Sequence, residues 1–200
     1  MKIHARAVVC LILTFVVFVS CEEAGVSSVP WPDPPSLGVT VTTDAEYMKF
    51  GLGLYHDIIG ITETYHSEGF PSTTVGISHS YPDSQSYQYT FTDYDRGSHI
   101  SDLAIPAGTA FYTGTLRSDH PSIDGHPAED MTRYIEKLDF TVSLKEGLST
   151  NTYVVKLVTK IYNAGPTVPV EITFTTFDII GRQFTQAELK AMFSEITTLL

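Results

Sequence analysis

Residues 138–144 read LDFTVSL, a stretch in which apolar side chains alternate strictly with polar ones. Successive side chains of a β-strand point to opposite faces of the sheet, so a period of two predicts a strand with one buried and one solvated face. The same period recurs at residues 87–92, where Tyr87, Tyr89 and Phe91 alternate with polar residues. Half-buried strands of this kind are typical of an antiparallel sheet.

Turn signals divide the region from Thr73 to Phe184 into about six or seven strands. They lie at residues 82–84, 95–97, 107–108, 146–147 and 163–166. The short connections predict a meander of consecutive antiparallel strands. Residues 152–163 and 168–180 are more uniformly apolar and β-branched, and we expect them to be central strands that are covered on both faces.

A long helix is predicted before the strands. Residues 43–46 read TDAE, the spacing of a capping box, and apolar residues then recur three and four apart as far as Gly69. Gly51, Gly53 and Gly60 oppose this prediction, because each costs about 1 kcal/mol relative to alanine. Close packing on a sheet explains Gly51 alone, so we expect the helix to be kinked or interrupted. The alternation in residues 50–54, FGLGL, allows a strand as the alternative.

A second capping box at residues 185–188, TQAE, predicts a C-terminal helix with an apolar stripe that begins at Leu189. The order of helix, strands and helix predicts an α+β fold. In this fold a curved antiparallel sheet of about six or seven strands packs on one face against an N-terminal and a C-terminal helix.

The start of the chain has the parts of an export signal. Lys2 and Arg6 precede an apolar run of about 13 residues, which is shorter than the roughly 20 that span a bilayer, and the run leads into Cys21. Residues 18–21 resemble the lipobox of bacterial lipoproteins, with Phe18 where that family usually has leucine. The resemblance implies that Cys21 receives diacylglycerol and further acyl chains such as palmitate, and that residues 1–20 are removed. The alternative is an ordinary secretory signal, cut nearby, that leaves a soluble protein.

Three segments follow from this interpretation: a signal peptide at 1–20, a lipidated, proline-rich tether at 21–42 and a single domain at 43–200. Cys10 lies in the removed segment and Cys21 would carry the lipid, so the domain has no thiol for a disulfide, a metal or nucleophilic catalysis. The 10 basic residues after residue 20 stand against 23 acidic ones, a net charge near −13. This acidity argues against nucleic acid as a partner.

Aromatic residues in the first half of the sheet are the candidate ligand-binding residues. They could line a cavity for an apolar ligand, although core packing is the usual role of aromatics at strand spacing. The five are Tyr87, Tyr89, Phe91, Phe111 and Tyr112.

The loop after residue 119 is the candidate metal site, because His120, Asp124 and His126 offer imidazole and carboxylate ligands. A solvated connection between strands is the alternative interpretation. No catalytic residue and no cofactor is indicated, since the sequence contains neither a G-x-S-x-G nor an H-E-x-x-H motif.

The sequence therefore predicts a lipoprotein of the bacterial cell envelope, anchored by its lipid on the periplasmic side or at the cell surface. Its domain is expected to be a non-catalytic ligand-binding or carrier module, with an apolar small molecule as the ligand. One alternative is a structural or interaction module that binds another envelope protein. The other is a metal-dependent enzyme built around His120 and His126.

Overall fold

A computed structural model describes residues 32–33, 41–68, 76–99, 105–120, 132–163 and 171–193. These residues all belong to one compact unit, residues 31–200. The predictions for Cys21, Asp124 and His126 lie outside the described residues and stay predictions.

The described residues form one seven-stranded antiparallel sheet in which each strand pairs with its neighbours in sequence. The predicted α+β meander is therefore confirmed. The strands are β1 Ile77–Asp83, β2 Ser86–Asp95, β3 Ala110–Asp119, β4 Arg133–Glu146, β5 Ser149–Tyr162, β6 Glu171–Ile179 and β7 Arg182–Gln183. The helices are α1 Asp44–Glu68, the single turn α2 Arg96–His99, and α3 Gln186–Met192.

Helix α1 begins at the predicted capping box. The Thr43 backbone N–H donates to Glu46 Oε2 at 2.8 Å, and the Glu46 N–H donates to Thr43 Oγ1 at 3.3 Å. Hydrogen bonds that the carboxylate of Glu46 accepts from the backbone N–H groups of Thr42 and Thr43 and from their hydroxyls lower its pKa to about 2. The helix then runs for 25 residues without a break, so the expected interruption and the alternative strand are both wrong.

Packing explains two of the three helical glycines. A methyl group at Gly51 would come within 2.6 Å of Phe177 Cζ on β6, which is the close approach to the sheet that was expected. A methyl group at Gly53 would overlap the backbone carbonyl of Asp33, in the segment predicted as a tether. A methyl group at Gly60 would have no neighbouring atom within 4 Å. Tertiary contact at Gly51 and Gly53 thus offsets the propensity cost that argued against the helix.

Strands β5 and β6 are half-buried, which corrects the expectation that both of their faces are covered. Val155 and Leu157 face inward and are buried, whereas Lys156 between them and Lys160 further along the strand are exposed on the solvated face. Strand β6 alternates in a similar way apart from one irregularity at its centre. Their β-branched residues suit a pleated surface and do not require a second covering layer.

The core lies between α1 and the inward face of the sheet, where Phe50 of the helix contacts Tyr153 at a ring-centroid distance of 4.6 Å. Register shifts mark irregularities of the bulge type in β1, in β2 and in β6 opposite Val158 and Thr159, and such irregularities bend strands. Because of the shift in β2, Phe91 and Tyr94 both lie in the core. Asp93, which lies between them in the sequence, has a positive φ of 45°.

Helix α3 begins at its predicted capping box, with Glu188 N–H donating to Thr185 Oγ1 at 3.2 Å and Thr185 N–H donating to Glu188 Oε2 at 2.7 Å. Leu189 is fully buried and Met192 is largely exposed. The inward side of this helix thus closes the end of the core next to β6.

Candidate functional site

A row of polar side chains crosses the inward face of the sheet. Tyr87 on β2, Ser118 on β3, Glu136 on β4 and Thr159 on β5 are successive Cα partners in the strand pairing. We call these four residues the polar row. Ser118 and Thr159 are fully buried and Glu136 is 6% exposed, whereas Tyr87 is half-buried. The register of four strands therefore assembles one polar line within an apolar face.

Glu136 is the charged centre of the polar row. Its Oε2 accepts a hydrogen bond of 2.7 Å from the Tyr55 hydroxyl of α1. Burial raises the pKa of the Glu136 carboxyl to about 7, and the nearby Glu63 carboxylate adds to the rise. The hydrogen bond from the Tyr55 hydroxyl opposes this rise. No described lysine or arginine forms an ion pair with Glu136.

Tyr55 remains a neutral donor in this arrangement. Burial, followed by the negative charge of Glu136, raises the pKa of its phenol well above its ordinary value. The hydroxyl oxygens of Ser118 and Thr159 lie on either side of Glu136 in the register, and neither has a hydrogen-bond partner among the described residues. A buried polar atom without a partner usually costs free energy, so these two hydroxyls are unusual for a folded core.

Three aromatic side chains lie together where β3 ends, and one of them, Tyr87, is also the first residue of the polar row. The ring of His120 lies 6.2 Å from the Tyr87 ring and 5.3 Å from the Tyr134 ring, measured between centroids. We call Tyr87, His120 and Tyr134 the aromatic rim. Both tyrosines are partly exposed, while His120 is 8% exposed and burial lowers its imidazole pKa. Its Nδ1 has no partner in the described part of the chain. The rim is therefore the solvent-facing side of the polar row.

A second buried polar cluster has a structural role. The Arg96 guanidinium at the start of α2 donates to both carboxylate oxygens of Asp57 on α1, with Nη2 at 2.9 Å from Oδ1. The Tyr112 hydroxyl donates to Asp57 Oδ2 at 2.9 Å. Charge and hydrogen bonds are matched around Asp57, so this cluster joins α2 and β3 to α1.

The five predicted ligand-binding aromatics do not share one surface. Tyr89, Phe91 and Tyr112 are almost fully buried, and Phe91 packs edge-on against Phe140 at 5.1 Å between ring centroids. Phe111 lies on the opposite face of β3, where the Lys145 ammonium is 4.0 Å from its ring centroid. Tyr87 alone among the five belongs to the aromatic rim. Core packing thus accounts for the three buried rings.

Of the predicted metal ligands, only His120 is described, and its contacts are the two tyrosine rings of the rim. Among the described residues no group of three or more histidine, cysteine or acidic side chains could hold a metal ion. The metal site at His120, Asp124 and His126 remains a prediction.

Sequence reasoning missed Glu136, Ser118, Thr159 and Tyr55 as site residues. One signal was present: the alternation of residues 138–144, extended back by one step, places Glu136 on the same face as Leu138 and Phe140. A charged residue at an inward position of a strand indicates a buried charge. Ser118 and Thr159 give no comparable signal in the sequence, because serine and threonine are common on either face of a sheet.

No protein-family model matches this chain, and comparison with curated proteins and with solved structures also finds no significant match. None of the helices in the described ranges is long and apolar enough to cross a membrane. The function is therefore inferred from the residues themselves.

Proposed function

We propose that this chain is a lipid-anchored protein of the bacterial cell envelope whose α+β domain binds a small ligand without transforming it. The anchor is supported by the basic start, the apolar run and the lipobox-like residues that end at Cys21. The binding function is supported by one observation: a buried carboxylate, Glu136, lies between two buried hydroxyl oxygens without a partner among the described residues, beside the partly exposed tyrosines of the aromatic rim.

The geometry favours binding over catalysis. A serine nucleophile needs a hydrogen bond to a base, as in a Ser–His pair. Ser118 Oγ has no hydrogen-bond partner among the described residues, and neither has His120 Nδ1, although the two residues are neighbours on one face of β3. The third polar group, Tyr55, is held neutral beside Glu136.

The site also defines the shape of the ligand. An apolar or aromatic body fits the Tyr87 and Tyr134 rings of the rim, and a polar group reaches Ser118 and Glu136 behind them. This amphipathic ligand replaces the wholly apolar one that the aromatic strands suggested, because three of those five rings are already packed in the core.

Co-purification tests the binding function. Small molecules are extracted from protein isolated from its native membrane and identified by mass spectrometry, for the wild type and for the double variant Tyr87→Ala, Tyr134→Ala. We expect a ligand in the wild type that is lost from the double variant. Phe111→Ala is the control, since this aromatic residue lies on the opposite face of β3, at the end of the strand away from the rim. Equal recovery from all three proteins, or no ligand in any of them, contradicts the proposal.

Metabolic labelling with a palmitate analogue tests the anchor. The wild-type chain is expected to incorporate the label and to partition with membranes, whereas Cys21→Ser is expected to do neither. Incorporation that persists in Cys21→Ser contradicts lipidation at this residue.

One exposed residue favours a second candidate function, a module that binds another envelope protein. Leu148 is fully exposed at the turn between β4 and β5, the two longest strands of the described sheet. A photo-reactive amino acid at position 148 should then cross-link a specific partner in intact cells, while the same group at exposed Thr150 should do so less. Identical cross-linking at the two positions counts against this function.

A further inference from the structure

We infer that the polar row is a subsite for an organic ammonium group, carried by a small ligand whose apolar body contacts the aromatic rim. This inference rests on the proposed binding function and adds the chemical class of the ligand. It follows from the charge of the site, its hydrogen-bonding groups and the rings around it.

The first argument is the unmatched negative charge on the inward face. Arg117 and Lys137 are the cationic neighbours of the polar row on β3 and β4, and both face outward. There they bind the Asp119 carboxylate at 2.6 and 2.7 Å. Glu136 faces inward, and its one charged neighbour from α1 is another acid, Glu63. A buried carboxylate without a counter-ion is costly, and a ligand cation would offset that cost.

The second argument is the number and type of free hydrogen-bonding atoms. An alkylammonium group has three N–H donors and no acceptor. Glu136 offers carboxylate oxygens, of which Tyr55 uses one site, and Ser118 Oγ and Thr159 Oγ1 flank it as acceptors without a partner among the described residues. One ammonium group therefore matches one carboxylate and two hydroxyl oxygens. A ligand anion does not fit beside Glu136 and Glu63.

The third argument is the aromatic rim. The face of a tyrosine ring attracts cations, most strongly where water is excluded. The cation–π contacts of the described residues involve Tyr162, Phe111 and Tyr47, and none of them involves the partly exposed rings of Tyr87 or Tyr134. We therefore expect a ligand cation beside Glu136 to contact the partly exposed rings of Tyr87 and Tyr134.

A matched set of probes tests the inference on the full-length protein in detergent. The probes are 2-phenylethylamine, the neutral 2-phenylethanol and the anion 3-phenylpropionate, which share a phenyl ring and differ in the charge of the terminal group. Binding is measured by calorimetry and by tyrosine fluorescence. We expect the amine to bind at least about tenfold more tightly than the alcohol, and the anion to bind most weakly.

Variants then assign the binding to the polar row. Glu136→Gln keeps the shape of the side chain, and we expect it to lose the preference for the amine. Thr159→Val removes one acceptor at nearly constant volume and should weaken amine binding several-fold. Glu146→Gln is the control, because this acid lies exposed at the far end of the same strand and its loss should leave amine binding unchanged.

The outcomes separate this inference from the proposed function. If the alcohol binds as tightly as the amine, or if Glu136→Gln retains the preference for the amine, the ammonium subsite is wrong while a ligand site at the rim stands. If none of the probes binds, the ammonium subsite is also overturned, and the co-purification experiment decides the binding function independently. Loss of the preference for the amine in Glu136→Gln, with a stable fold and an unchanged preference in Glu146→Gln, supports the inference.

Discussion

Replacing Glu136 with glutamine should stabilise this protein above neutral pH. The wild-type carboxyl is buried among groups from α1 and four strands, and none of those that are described carries a positive charge. They are Tyr55, Glu63, Tyr87, Ser118, Tyr134 and Thr159. Glutamine retains an oxygen that accepts the Tyr55 hydrogen bond, and its amide N–H groups gain Ser118 Oγ and Thr159 Oγ1 as acceptors. The substitution therefore removes the charge and leaves the hydrogen-bonding site occupied.

The magnitude follows from the pKa of Glu136. A rise from 4.5 in the unfolded chain to about 7 in the folded one corresponds to about 3 kcal/mol. Between these two values the folded protein binds more protons than the unfolded chain, so the free energy of unfolding falls as the pH rises. The cost is absent below about pH 4.5 and complete above about pH 7. Glutamine does not titrate. The free energy of unfolding that the variant gains over the wild type should therefore rise with pH between about 4.5 and 7.

Urea unfolding of both proteins, followed by fluorescence at several pH values from 5 to 8, measures this difference. We expect the two proteins to be similar near pH 5 and the variant to be more stable by about 3 kcal/mol at pH 8, equivalent to roughly 6–12 °C in Tm. His120 and the tyrosines titrate in both proteins, so the difference isolates Glu136. The exposed control Glu146→Gln should change the stability by less than about 0.5 kcal/mol. A variant that is less stable than wild type at pH 8, or a difference independent of pH, would refute the reasoning.

Three further predictions concern single contacts, each checked by urea or thermal unfolding. Tyr55→Phe removes the donor to Glu136 and should cost about 1.5–3 kcal/mol at pH 8 but less at pH 5, where the acceptor is protonated; equal costs at both pH values contradict this. Gly51→Ala should destabilise by about 1–3 kcal/mol because its methyl group meets a ring of β6. Gly60→Ala, with open space around it, should stabilise by up to about 1 kcal/mol, and the same sign for both substitutions would be inconsistent with the packing of α1. Ile180→Gly should stabilise by about 1 kcal/mol, since this β-branched residue has a φ of 51°, and a loss of stability would show that its side-chain contacts outweigh the backbone strain.

Local patterns were sufficient to predict most of the fold. Period two identified the strands, and the two capping boxes located the starts of α1 and α3, because each of these signals depends on neighbours within a few residues. The errors arose where distant residues decide the outcome. Gly53 is accommodated in α1 by contact with Asp33, twenty residues away, and a β-branched composition in β5 masked the outward lysines.

The site was harder to predict than the fold because register assembles it. Tyr87 and Thr159 are 72 residues apart in sequence and belong to one row only through three successive strand pairings. A shift of one residue in any pairing would turn the following side chains to the opposite face. The inward position of Glu136 could be extrapolated from Leu138. Its hydrogen-bond partner Tyr55 falls in the spacing of the apolar residues of α1, so the sequence predicts a core residue there and not a site residue.

The polar row interrupts a face that is otherwise suited to an apolar core. On one side of it lies the row formed by Tyr89, Leu116, Leu138 and Leu157, and on the other side Ile161 pairs with Ile172. An apolar side chain at position 136 would continue this pattern and avoid the cost of the buried charge. The interruption crosses the middle strands of the sheet near one end of each strand, next to the end of β3 and beside partly exposed tyrosines. The proposed binding function would account for a charge that weakens the fold at this place. On that proposal, a ligand cation that offsets the charge should stabilise the wild type most strongly above pH 7.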